Sequence, residues 1–268
     1  LFFIIFLGAT NISLENIPEF NPTELHPFAV LATTTTLVMW SFIGIETATV
    51  PAENFIDPKK TIPRVLIASV ITILVIYILV SIAISLIVPA NELIKSSAPF
   101  ALAATKILGV SGGAIITIGA LISTVGSLNA NALTAGNIAF AAARDNLLPN
   151  KFLNTSKNGT PVFAFLITGV SASILLLMNY TKGMVAAFTF MAMLSTLSTL
   201  LAYALCAITD MIYTNNDGPN KNKTLALIMS FATLIYSLFT IWGAGAQIIY
   251  SGLILILLGM PIYFYMSR

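Results

Sequence analysis

The chain has 268 residues, of which 57% are hydrophobic and only 8% are charged. A soluble globular domain carries about 25% charged residues, which normally cover its surface, so this composition excludes a soluble fold. The same hydrophobicity excludes disorder, and a net charge of +2 without clustered basic residues argues against a nucleic-acid partner.

Stretches of about 20 mostly apolar residues predict helices that cross a membrane. In chain order, the sequence predicts a partial span at residues 1–12 and seven complete spans at about 28–55, 64–88, 111–143, 160–179, 184–209, 224–242 and 246–266. The last two are separated at the turn-prone residues 242–245. Continuous rather than alternating apolar runs favour helices over a membrane β-barrel. The prediction is a single all-α, polytopic transmembrane domain over residues 1–268.

The basic residues predict how the chain is oriented in the membrane, because Lys and Arg are enriched in cytoplasmic loops. One set of alternate loops, together with the C-terminus, contains Lys59, Lys60, Arg64, Arg144, Lys151, Lys157, Lys221, Lys223 and Arg268. The opposite loops contain only Lys95, Lys106 and Lys182. We therefore expect a cytoplasmic C-terminus and an external first loop.

The first residues resemble the end of a span that began earlier. Leu1 starts inside an apolar run, with no initiating Met, no basic n-region and no small-residue cleavage site, so it does not fit a signal peptide. We expect a truncated chain whose native form continues upstream of Leu1.

Residues suited to enzymatic chemistry are sparse. Intramembrane hydrolysis needs paired carboxylates, a metal-binding His cluster or a nucleophile with its base, and the sequence contains no such set. His26 is the only histidine and is predicted to be a plain interfacial residue. Cys206 is the only cysteine, so it forms neither an internal disulfide nor a Cys-based metal site alone. We expect no enzymatic activity, no metal and no cofactor.

The most informative segment is WSFIGIETATVP at residues 40–51. A carboxylate inside a span is costly and usually faces a cavity or a proton path, so Glu46 is a functional candidate. Gly44 weakens the helix just before it, and a broken spanning helix is tolerated where its backbone lines a cavity. The alternative is a glutamate near a helix end, paired with Lys59 or Lys60.

Several other polar and aromatic residues fit either a role in a functional site or a role in helix packing. Trp40 fits an aromatic lid and a core residue equally well. Ser195 shares a helical face with Thr199, where helix packing is slightly favoured. A further polar stripe on one helical face either lines a pore or packs against another helix. It consists of Ser123, Ser127, Asn131 and Thr134.

Three segments resemble the amino acid, polyamine and organocation transporter superfamily. They are WSFIGIETATVPAENFIDPKKTIPRV at 40–65, ARDNLLP at 143–149 and NGTPV at 158–162. Within the superfamily, the chain is most similar to the bacterial arginine/agmatine antiporters and the related putrescine/ornithine exchangers. The first segment is the most specific. The resemblance implies the leucine-transporter-type fold, of which this chain would hold the second inverted repeat plus two extra helices.

The resemblance also implies roles for individual residues. It makes Trp40 the aromatic gate over the substrate and places Ile43 and Gly44 in unwound backbone that meets the substrate. It makes Glu46 a proton-linked or gating carboxylate and places Ser195 beside the substrate. The resemblance thus implies substrate contacts for four of these residues and a gating or proton-coupling role for Glu46.

Asn131 is the sixth implied site residue and departs from the family pattern. Arginine/agmatine antiporters carry at this position a Trp that packs on the aliphatic stem of the substrate, so the departure weakens the case for arginine and leaves another amino acid or amine open. The implied function is a secondary active transporter, a permease or antiporter in the bacterial inner membrane that works by alternating access, with a homodimer implied. The alternative is a non-transporting membrane fragment or scaffold left by gene splitting.

Overall fold

The computed structural model describes residues 2–8, 13–17, 21, 25–49, 55–180, 183–216 and 223–266. Within these ranges all regular structure is helical. The α-helices are α1 (Phe2–Gly8), α2 (Pro27–Trp40), α3 (Pro58–Ile87), α4 (Ala90–Leu93), α5 (Pro99–Arg144), α6 (Val162–Tyr180), α7 (Met184–Asn216), α8 (Lys223–Gly243) and α9 (Ala246–Met266). Short 3-10 helices cover Leu14–Asn16, Ile45–Thr49 and Asn150–Leu153.

Six helical segments of the described chain are long and apolar enough to cross a membrane. They are α3, α5, α7, α8, α9 and the segment that begins with α2, while α6 counts as a shorter apolar helix. Large apolar side chains such as Leu121, Ile122 and Leu177 lie on the outside of these helices, which suits a lipid environment. The prediction of an all-α, polytopic membrane protein is confirmed.

The chain folds into two compact units. The first comprises residues 1–24 and 44–130, and the second comprises residues 25–43 and 131–268. Helix α5 passes from the first unit into the second, and the unit boundary at 43/44 falls inside the segment that the sequence singled out.

The first unit is built on the packing of α1 against α3. Its buried apolar core consists of Ile4, Val80, Ile84, Ile87, Val88 and Ala103. The loop before α2 is fastened to the end of α3, because Ser13 N and Asn16 Nδ2 donate to the carbonyl of Leu86 at 3.1 and 2.9 Å. This carbonyl is one of the last four of its helix, which have no intrahelical partner.

Helix α5 is interrupted near its start. Leu108 and Gly109 have non-helical dihedral angles, and Gly109 has a φ of +66° that glycine adopts at little cost. Beyond the interruption, Gly112 stands against the carbonyl of Ala104, so the two segments of α5 lie close together. The long helical segment therefore begins after Gly109.

The second unit contains a close contact between α2 and α8, here called the seam and formed by Ala32, Thr36, Thr240 and Gly243. Gly243 stands directly against the backbone carbonyl of Ala32. The buried Thr36 Oγ1 lies 2.8 Å from the carbonyl of Thr240 and 2.9 Å from that of Ala32. Small residues allow this approach, and the hydroxyl joins the two backbones, as at helix crossings in membranes.

Candidate functional site

Helix α2 ends within the predicted span 28–55, at Trp40. After it, Ser41, Phe42 and Ile43 each donate a backbone N–H to the carbonyl three residues earlier, at 3.0, 3.0 and 3.3 Å. These 3-10 bonds satisfy carbonyls that would otherwise lack partners at the helix end. In the second unit, Ile43 is thereby tied to the carbonyl of Trp40.

In the first unit, Gly44 and Glu46 form a local cap. Gly44 has a φ of +107°, and its N–H donates to Glu46 Oε2 at 2.8 Å. The Gly44 carbonyl accepts from the Thr47 amide at 3.1 Å and from Thr47 Oγ1 at 2.6 Å. A carboxylate in the first turn that accepts from the N–H of the residue just before a helix stabilises the start of that helix. Glu46 therefore holds the start of the 3-10 helix Ile45–Thr49.

Lys60, one of the two lysines considered as partners of Glu46, forms an ion pair with Asp57. Lys60 Nζ lies 3.3 Å from Asp57 Oδ2, across the first turn of α3, with both side chains more than half exposed. Glu46, by contrast, is half-buried and accepts from a backbone amide. This amide bond is one of the contacts that hold Glu46 next to Gly44.

Trp40 packs edge-on against Phe188 of α7. The ring centroids are 5.0 Å apart, the planes meet at 86°, and Trp40 remains 38% exposed. This is a favourable aromatic geometry for a side chain at the edge of a core. Sequence reasoning missed Phe188, although it lies two turns before Ser195 on the same face of α7 and could have been found from that spacing.

The two remaining predicted site residues stand on separate helices of the second unit. Ser195 is exposed on α7, and its carbonyl accepts from Thr199 Oγ1 at 3.2 Å. Asn131 is exposed on α5, one turn before the half-buried Thr134. The structure thus joins Trp40 to Ile43 and Gly44 to Glu46, and it leaves Asn131 and Ser195 on exposed faces.

Residues with metal-binding chemistry are dispersed. Across the ranges the structure describes, no group of three or more His, Cys, Asp and Glu side chains is placed to hold a metal ion. His26 instead caps α2, because its Nδ1 accepts from the amide of Phe28 at 3.3 Å. Cys206 is exposed on α7.

Comparison with known proteins identifies the family. The sequence profile of amino acid permeases matches residues 4–265. The chain belongs to the amino acid permease family. This match confirms the resemblance carried by the segment at 40–65.

Three relatives of this chain have names that describe amine transport. It is 26% identical over 251 residues to the putrescine transporter PotE of Haemophilus influenzae, covering 93% of this chain and 58% of the relative. The putrescine transporter PotE of Escherichia coli K12 is 25% identical over 249 residues, covering 92% and 56%. The cadaverine/lysine antiporter of the same strain is 26% identical over 215 residues, covering 78% and 48%. The chain spans about half the length of these curated relatives.

Proposed function

We propose that this chain is part of a secondary active transporter that moves amino acids or polyamines across the bacterial inner membrane by alternating access. The observation that carries the proposal is the end of α2 at Trp40, followed by Gly44 at a φ of +107°, in a member of a permease family. Non-helical backbone at membrane depth is tolerated where it is buried or lines a cavity, and broken helices form substrate sites in many transporters.

The proposed substrate class is a cationic amine or amino acid. The C-terminal end of a helix carries a partial negative charge, so the end of α2 would attract an ammonium group. In this proposal Trp40 covers the substrate and the backbone of Ile43 and Gly44 contacts it, while Asn131 and Ser195 contribute side chains. The names of the relatives, which specify putrescine, cadaverine and lysine, support this class.

Glu46 is proposed to link proton binding to a conformational change in the non-helical backbone at residues 41–44. As a carboxylate it gives the Gly44 N–H a charge-assisted acceptor, and such bonds are roughly twice as strong as neutral ones. Protonation of Glu46 would therefore loosen the cap on the 3-10 helix Ile45–Thr49. A looser cap would let this segment change conformation during transport.

The orientation and assembly belong to the same proposal. The Lys and Arg distribution supports a cytoplasmic C-terminus, and the family resemblance supports a homodimer. The protein is proposed to act as a transporter and not as an enzyme. Cysteine accessibility scanning of the loops in intact cells would test the orientation.

The direct test is counterflow in proteoliposomes that contain the full-length native protein. Vesicles are preloaded with unlabelled putrescine, and uptake of labelled putrescine, lysine, arginine and leucine is measured. We expect the cationic compounds to be exchanged in preference to leucine. Uptake no greater than in protein-free vesicles for every compound would favour the scaffold alternative.

The role of Glu46 is tested in the same vesicles with Glu46→Gln. The amide keeps an acceptor for the Gly44 N–H but cannot bind a proton, so we expect a flattened pH dependence of the exchange rate. The exposed Glu15 supplies the matched control, and Glu15→Gln should keep the wild-type profile. An unchanged profile and rate in Glu46→Gln would remove Glu46 from the proton-coupling role.

A further inference from the structure

A groove of about 310 Å³, mostly apolar but lined by one carboxylate, lies between α7 and α8 in the second unit. Its lining residues are Tyr203, Cys206, Ala207, Asp210, Met229, Ser230 and Thr233. On each helix these residues recur at intervals of three and four, so helical geometry turns them toward the same side. Asp210 lies fifteen residues after Ser195, or about 22 Å farther along α7. The groove is therefore separate from the residues assigned to transport.

Asp210 is the only charged side chain in the sequence of α7. It lies six residues before the end of that helix, about 9 Å inside it, and an ionisable residue within a span is a functional candidate. The hydroxyl of Ser230 from α8 donates to Asp210 Oδ2, and Ser230 is 6% exposed while Asp210 is exposed. A fixed hydroxyl thus orients a carboxylate at the groove.

The charge of Asp210 is not matched by a lysine or arginine in the described chain. The ion pairs found there are Lys60–Asp57 and Lys106–Glu92, both in the first unit. Lys223, the only charged side chain of α8, directs its Nζ to the carbonyl of Asn215 at 2.8 Å. A carboxylate has about four lone-pair sites, and Ser230 occupies one of them. The remaining sites are available to a ligand that carries positive charge.

We infer that this groove binds the primary ammonium group of an alkylamine. An ammonium has three donors, and the groove offers three oxygen acceptors in the Asp210 carboxylate and the Ser230 and Thr233 hydroxyls. The side chains of Met229 and Ala207 give an apolar wall for an aliphatic stem. A calcium ion needs six to eight oxygen ligands, which this single carboxylate and two hydroxyls do not provide. The site is additional to the proposed transport site and does not depend on transport.

Two sources can supply this ammonium group. One is a free alkylamine, and the other is the ethanolamine head group of a membrane lipid, because Asp210 lies near the end of a spanning helix. The two sources share the same recognition chemistry. They are distinguished by comparing membranes with and without phosphatidylethanolamine.

Cys206 provides a reporter for the test, because it lines the groove, is exposed and is the only cysteine of the sequence. The full chain is placed in lipid nanodiscs of phosphatidylcholine and phosphatidylglycerol, and the rate of Cys206 alkylation by a maleimide is measured with increasing butylamine. Butan-1-ol and potassium chloride serve as neutral and ionic controls. The same rate is then measured without butylamine in nanodiscs that contain phosphatidylethanolamine.

We expect butylamine to slow the alkylation, and the two controls to leave the rate unchanged. Asp210→Asn removes the charge of the acceptor, so the butylamine concentration that gives half protection should rise about tenfold or more. Asp57→Asn, at an exposed carboxylate in the first unit, should leave it unchanged. Protection by phosphatidylethanolamine alone would assign the site to the head group.

Three results would overturn the inference. The first is an alkylation rate that neither butylamine nor phosphatidylethanolamine changes, which needs no variant and so does not depend on how Asp210→Asn folds. The second is equal protection by butan-1-ol or potassium chloride. The third is full protection in Asp210→Asn.

Discussion

Gly243 in the seam and Gly44 at the break both require the absence of a side chain, but for opposite reasons. A Cβ on Gly243 would meet the backbone carbonyl of Ala32, whereas a Cβ on Gly44 would meet nothing within 4 Å. Gly44 is limited instead by its φ of +107°, which other residues rarely adopt. The seam is thus constrained by a neighbouring helix, whereas the constraint on Gly44 itself is its own backbone conformation. A substitution at Gly44 therefore strains the backbone without a steric clash, whereas one at Gly243 forces two helices apart.

The largest stability effect is expected at the seam. Gly243→Ala places a methyl group against the carbonyl of Ala32, and overpacking of this kind costs about 1–3 kcal/mol. The thermal unfolding midpoint of the purified protein in detergent should fall accordingly. Gly259→Ala is the matched control, because nothing lies within 4 Å of that Cβ position on α9. Equal midpoints for the two variants would show that α2 and α8 are not in close contact.

A smaller effect is expected when the seam loses its hydroxyl. Thr36→Val removes the bond to the Thr240 carbonyl, which should lower stability by about 1 kcal/mol in the same unfolding assay. The control is Thr35→Val, because Thr35 Oγ1 bonds only within its own helix, to the carbonyl of Leu31 at 2.7 Å. If the two variants are destabilised equally, the bond across the seam contributes nothing.

The fold class could be predicted from the sequence because helices that face lipid need apolar residues and few charges. Few charges and long apolar intervals are sufficient to predict an all-α membrane protein. The position of the break was visible in part, since Gly44 and Glu46 stand out inside an apolar interval. The sequence did not reveal that α2 already ends at Trp40, because the helix end depends on the φ of Gly44 and on the 3-10 bonds before it.

Contacts between distant segments were beyond the sequence analysis. The packing of Trp40 on Phe188 joins α2 to α7, and the hydroxyl bond of Ser230 to Asp210 joins α8 to α7. The order of residue types along one helix does not predict which face of another helix it contacts. The bond from the Gly44 amide to Glu46 is local, but it depends on a side-chain rotamer that the residue types alone do not determine.

If the interruption of the helix at Gly44 serves transport, Gly44→Ala should impair the exchange of labelled putrescine. Alanine has room at this position but disfavours the observed φ, at a cost of about 1–3 kcal/mol. Gly119→Ala, at an open helical position of α5 in the same unit, is the control. We expect Gly44→Ala to reduce the exchange rate and Gly119→Ala to keep the wild-type rate, with equal amounts of folded protein. Wild-type exchange by Gly44→Ala would contradict this expectation.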